Sequence, residues 1–133
     1  MNKIIHGDCL EVMKTLEDNS IDMVLTSPPY DNLRDYDGYT FDFEGIAKEI
    51  FRVLKQGGVC VWVVGDATIK GSETGTSFKQ ALYFKEIGFN LHDTMIFQKK
   101  NPIPQIYRKR YNNIFEYMFV FSKGEVKTHN PIE

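Results

Sequence analysis

The sequence is poor in the residues that build metal centres and disulfide frameworks. It holds two cysteines, Cys9 and Cys60, and three histidines in 133 residues, with no metal-ligand spacing among them. That excludes a zinc- or disulfide-stapled scaffold and leaves two reduced, buried thiols as the expectation, as in a cytoplasmic protein. No apolar run approaches the ~20 residues that cross a bilayer, and the start, "MNKIIHGDCLEVMK", lacks the apolar core of a secretory leader. No membrane partner is therefore expected. No segment repeats, and none is of low complexity. A glycine-rich turn after a strand is also lacking. Gly57 and Gly58 precede a strand rather than follow one, and Gly71 and Gly75 in "GSETG" follow none.

What is present suits a folded unit. Hydrophobic residues make up 42% and charged residues 26%, close to the globular average, and the length suits one domain with a single core over residues 1–133. The net charge is −2, but it is unevenly placed: residues 1–50 carry 4 basic and 11 acidic side chains, and residues 51–133 carry 12 basic and 7 acidic. The second part is therefore expected to meet an anionic partner.

Apolar periodicity gives the elements. "KIIHG" (3–7) reads as a strand. Asp8 follows at a helix N-cap position with Glu11 three residues on, and Leu10, Met13 and Leu16 share a helical face. "IDMVLT" (21–26) is the second strand. Phe43, Ile46, Ala47, Ile50 and Leu54 recur at helical spacing behind Asp42, and "QGG" (56–58) closes that helix. "VCVWVV" (59–64) is apolar on both faces and is expected at the centre of the sheet. A loop (65–76), a helix from Ser77 to Ile87, and strands at 91–99 and 114–122 complete the order βαβαβαββ. This predicts an α/β fold with a mostly parallel sheet, helices on both faces, and a C-terminal antiparallel pair.

Two segments carry chemistry. In "TSPPY" (26–30) a core strand ends in a serine, two prolines and a tyrosine. Ligands of open α/β sheets bind at such strand ends. The exocyclic amino group of a nucleobase is a poor nucleophile because its lone pair is delocalised into the ring. The Ser27 hydroxyl and the Pro28 carbonyl, held by locked proline φ angles, offer two acceptors that favour its pyramidal form. Tyr30 offers a ring to stack on the base. The second segment is the basic loop 98–113, "QKKNPIPQIYRKRYNN". Lys99, Lys100, Arg108, Lys109 and Arg110 offer charge to phosphates, and Tyr107 and Tyr111 offer contacts to sugars or bases. Arg34, in the loop 31–42, is a further candidate at an extruded base.

"GDCLEVMKTLEDNSIDMVLTSPPYDNLRDY", "VLKQGGVCVWVVGD" and "NNIFEYMFVFSKG" together resemble the amino-group DNA methyltransferases, which form N4-methylcytosine or N6-methyladenine. The resemblance spans nearly the whole chain. It implies a Rossmann-like methyltransferase fold, S-adenosylmethionine as cofactor and double-stranded DNA as partner. It assigns Ser27, Pro28, Pro29 and Tyr30 as the catalytic set and places Asp8, Cys9, Thr26 and Asp66 at the cofactor; Asp8 is equally suited to capping a helix. An initial Ser in the tetrapeptide leans toward cytosine N4. Only 25 residues precede Thr26, so the order resembles the permuted arrangement in which the catalytic half comes first. The sequence thus reads as a truncated catalytic domain, with self-association or a second chain expected to supply the glycine-rich half. The alternative is a non-catalytic DNA-binding remnant or regulatory fragment of such an enzyme.

Overall fold

The computed structural model describes residues 2–31, 41–104 and 109–132. Asp8 opens α1 (Cys9–Met13) by accepting hydrogen bonds from the backbone N–H groups of Leu10 and Glu11 at Oδ1. β1 (Ile21–Thr26) leads to α2 (Phe43–Val53), which Asp42 caps through the N–H of Gly45. β2 (Leu54–Val64) follows directly. Its start is kinked: Gly57 adopts φ +81°, and the pairing with β1 is irregular between Ile21 and Met23. A Cβ at Gly57 would meet the Lys127 side chain and the Glu125 carbonyl, so both space and backbone demand glycine here. A small hairpin, β3 (Thr68–Ile69) and β4 (Ser72–Glu73), precedes α3 (Thr76–Glu86). β5 (Asn90–Gln98) and β6 (Phe115–Ser122) end the fold.

The main sheet runs β1-β2-β6-β5, with β1 parallel to β2 and the other two pairs antiparallel. The α/β class, the internal position of "VCVWVV" and the C-terminal antiparallel pair match the sequence-based expectation. Several expectations are corrected. "QGG" does not close α2, which ends at Val53; it lies within β2. Residues 3–7 form no strand: Ile4 is 99% exposed and Ile5 49%. A strand exists only through hydrogen bonds to a neighbour, and this segment makes none of the sheet's pairings, so among the described residues the one parallel pair is β1–β2 and the sheet is mixed in strand direction rather than mostly parallel. Among the described residues, helices cover one face of the sheet and not both. Ile46, Ala47 and Ile50 of α2 and Ala81 and Phe84 of α3 join Cys60, Trp62, Val64, Phe119 and Phe121 in a single core.

That core is aromatic. Trp62 and Phe84 meet edge-on at 5.0 Å and Phe84 stacks on Phe121 at 4.4 Å. Trp62 is buried, and its indole N–H is satisfied by Gln80 Oε1 at 2.9 Å. Of the two thiols expected to be buried only Cys60 is; Cys9 is exposed at the start of α1. Burial pushes the Cys60 thiol up to about 12. Arg52 staples the end of α1 to α2, donating to the carbonyls of Met13 and Leu16 and pairing with Asp18 and Glu49.

Candidate active site

β1 ends at Thr26, and the chain turns over the carboxyl edge of the sheet through Ser27, Pro28, Pro29 and Tyr30. Pro28 is buried and the other proline half-buried, so the turn is packed as well as covalently stiff. The Tyr30 ring lies over the end of β2, with its edge atoms 3.6 Å from where a Cβ on Gly65 would stand. Its hydroxyl donates to Glu116 Oε2 on β6 at 2.7 Å and lies 2.9 Å from Ser27 Oγ. Glu116 Oε1 in turn lies 3.3 Å from Lys99 Nζ.

The next residue fastens the turn from the other side. Asp31 accepts from Thr74 Oγ1 at 2.7 Å, from Thr76 Oγ1 at 2.6 Å and from the Ala67 N–H at 2.9 Å. Burial works against its charge, but these three donors outweigh it and hold the carboxyl below the usual carboxylate range. Its φ of +44°, uncommon for a non-glycine residue, is held in place by those bonds.

A cavity of about 440 Å³ opens beside the turn, lined by Cys9, Thr26, Ser27, Pro28, Pro29, Phe41, Ile46 and Trp62. Its size is that of a small-molecule site. Five residues singled out in the sequence, Cys9, Thr26, Ser27, Pro28 and Pro29, are thus brought together. Asp8 precedes Cys9 and caps α1. Asp66 is not brought to the cavity wall: its carboxylate accepts from the backbone N–H of Ser77 at 2.7 Å and from Ser77 Oγ at 2.5 Å, fixing the start of α3.

The basic segment divides. Lys99 faces Glu116, whereas Lys100 and Lys109 are exposed. Arg110 is exposed and donates to the carbonyl of Gly71 in the small hairpin. Arg34, Tyr107 and Arg108 lie outside the described residues. No group of three or more His, Cys, Asp or Glu side chains suited to a metal occurs among the described residues, and none of their helices is long and apolar enough to cross a membrane.

Glu116 and Asp31 were not anticipated from the sequence. A lone acid in the apolar strand "IFEYMFVFS" was a usable signal for Glu116, since such a charge is rarely buried without a partner. Nothing local marked Asp31.

Comparison with known proteins places this geometry in a family. A DNA methylase family model, N6_N4_Mtase, matches residues 21–133. The orphan methyltransferase M.BamHII of Bacillus amyloliquefaciens is 62% identical over 118 residues, 88% of this chain and 44% of its own length. Among solved structures, the PvuII DNA methyltransferase (cytosine-N4-specific) superposes with a TM-score of 0.73 at 24% identity, over 90% of this chain and 48% of that one. A Thermus thermophilus protein described as a DNA modification methylase, solved with S-adenosyl-L-methionine, gives a TM-score of 0.71 at 25% identity over 96% of this chain and 57% of that one. The chain therefore spans about half the length of these relatives.

Proposed function

This chain belongs to the N6/N4 DNA methylase family, and from that premise we propose that it is the catalytic portion of a DNA methyltransferase. It moves a methyl group from S-adenosylmethionine to the exocyclic amino group of a base extruded from the duplex, cytosine N4 in preference to adenine N6. The observation that carries this reading is the Ser27 hydroxyl at the carboxyl end of β1, on the wall of a cavity shared with Phe41 and the proline pair.

The residues present fit the cofactor. Cys9 and Thr26 line the cavity. Asp8 uses Oδ1 for its helix cap, and Oδ2 offers an acceptor for an adenine amino group. Bound there, the cofactor supplies an electrophilic methyl group. The chain's own contribution is orientation. Ser27 and the Pro28 carbonyl accept from the two amino hydrogens and draw the nitrogen toward its pyramidal, nucleophilic form. Phe41 and Tyr30 offer rings to the base. Lys100, Lys109 and Arg110 contact the backbone phosphates, with Arg108 of the same loop and Arg34 of the loop 31–42 as further candidates.

Two features support the further reading that this chain works with additional polypeptide. The face of the sheet opposite α2 and α3 is apolar and carries no described helix, and β1 has no described neighbour on its outer side. A second chain, or a second copy of this one, covers them. Sedimentation checks this: a monomer at every concentration that is stable and turns over overturns it.

The first test is calorimetric titration with S-adenosylmethionine, followed by transfer of labelled methyl to duplex DNA and nucleoside analysis. Binding and N4-methylcytosine are expected, and Ser27→Ala lowers kcat by about a hundredfold. No binding and no transfer, alone or with a covering chain, overturns the reading. Lys109→Ala weakens duplex binding and lowers the salt slope by about one.

A further inference from the structure

The tetrapeptide's hydroxyl is only useful if its lone pairs, and not its proton, face the substrate. A serine hydroxyl rotates freely and is donor or acceptor as its surroundings dictate. Here the surroundings are asymmetric. Glu116 sits on β6, 86 residues from Tyr30 in sequence, and its Oε2 lies 2.7 Å from the Tyr30 hydroxyl. An ionised carboxylate only accepts, so the single phenolic proton of Tyr30 points to Glu116. The Tyr30 oxygen, 2.9 Å from Ser27 Oγ, is then the acceptor of that pair, and the Ser27 proton points to Tyr30. Lys99 Nζ, 3.3 Å from the other carboxylate oxygen, balances the charge. Glu116 shares a sheet face with Met118, and its two oxygens are committed to partners that follow different strands, Tyr30 after β1 and Lys99 after β5.

We propose that Glu116 is a positioning residue: through Tyr30 it fixes the direction of the Ser27 hydroxyl, so that Ser27 meets the site as an acceptor only. This rests on the methyltransferase reading above and goes beyond it. It assigns a role to an acid on β6 that does not line the cavity, and to Lys99 a role in holding that acid as well as any in DNA contact. The chain of donors runs one way, Ser27 to Tyr30 to Glu116. Breaking it at any link lets the Ser27 proton turn toward the substrate amino group, where donor would meet donor.

The test uses the full chain with tyrosine labelled with carbon-13 at the hydroxyl-bearing ring carbon. Donation to a carboxylate moves that resonance downfield. In Glu116→Ala the Tyr30 resonance is expected to move upfield; in Lys99→Ala, which removes the balancing cation, it moves further downfield. The Lys99 variant decides the matter should Glu116→Ala not fold. Methyl transfer at saturating DNA supplies the second readout. Glu116→Ala and Tyr30→Phe each lower kcat about ten- to a hundredfold with little change in KM for the cofactor. The double variant loses no more than the worse single one, because both break one chain of hydrogen bonds. A Tyr30 resonance unmoved by these substitutions, or multiplicative losses in the double variant, overturns the proposal. The expected shifts in the variants, together with a wild-type chain that binds no cofactor and transfers no methyl group either alone or with a covering chain, support the geometry and overturn the reaction reading instead.

Discussion

On the helix-covered face of the sheet Cys60, Trp62, Val64, Phe119 and Phe121 are each 3% exposed or less. On the opposite face the residues between them, Val59, Val61, Val63, Met118 and Val120, are only half-buried, and Met23, Leu25 and Met95 are exposed. The register sets these in two adjacent rows: Leu25 pairs with Val61 and Val61 with Val120, which meets Asp93 on β5, while Val63 pairs with Met118 and Met118 with Met95. Both faces are thus largely apolar, and the described helices cover only one. Strands buried on both faces are the ones that read as unbroken hydrophobic runs. The contrast teaches that the pattern of "VCVWVV" reports what a strand is suited to contact, whereas burial reports what it contacts in this chain.

The strongest way to break the comparison is to remove a ring from the covered face. Phe84 is fully buried and meets Trp62, Phe43, Phe89 and Phe121. Phe84→Ala is expected to cost about 3–5 kcal/mol, a large part of a typical domain's stability. Denaturant melts followed by Trp62 fluorescence measure it. A loss below about 1 kcal/mol would mean that this face is not packed as described.

A second substitution probes the seam where the sheet meets α2. Lys123 is buried, and its ammonium donates to Asn19 Oδ1 and to the carbonyls of Phe51 and Leu54, with the Phe51 ring 4.7 Å away. Lys123→Met leaves those carbonyls without their donor and is expected to cost roughly 2–4 kcal/mol at neutral pH. Burial lowers the Lys123 pKa, against a smaller opposing pull from Asp18. The unfolded chain therefore binds this proton more tightly than the folded one. Stability should rise as pH climbs through the interval just below 10.5, the ordinary lysine value, and level off above it. Melts across that interval check the sign, and the methionine variant should lose the slope.

How much of this was legible in the sequence depends on how local each feature is. Asp8 and Asp42 cap helices because a short side chain reaches N–H groups two or three residues on, and sequence distance is then spatial distance. The end of β1 at Thr26 follows from the prolines alone. "KIIHG" failed as a strand because alternation sets a preference, whereas a strand also requires a neighbour to pair with. Asp66 was assigned to the cofactor by resemblance; the structure ties it to Ser77, eleven residues away, a contact no motif announced. The link from Tyr30 to Glu116 is created by the β2–β6 pairing and has no local signature. Five of the cavity's eight lining residues stand out in the sequence; of its apolar walls, Ile46 and Trp62 read there as ordinary core, and Phe41 lies in the loop 31–42.

The smallest expected effect is the most discriminating. Leu25 points from β1 to the bare face and is 66% exposed. With about a third of its surface buried, Leu25→Ala should cost roughly 0.5–1 kcal/mol, a corresponding share of full side-chain burial. Should the face be covered in solution, the same substitution creates a cavity and costs about 2–5 kcal/mol. The two cases also differ in kind. A small loss should be independent of protein concentration, because nothing but this chain holds the strand. A large loss that grows on dilution requires a second copy on the face, since only binding to the folded state makes stability concentration-dependent. A large loss that does not change on dilution would instead place residues of this chain over the face and remove the contrast between the two sides. Melts of Leu25→Ala over a hundredfold range of concentration thus decide whether the second face is bare or merely unpartnered at low concentration.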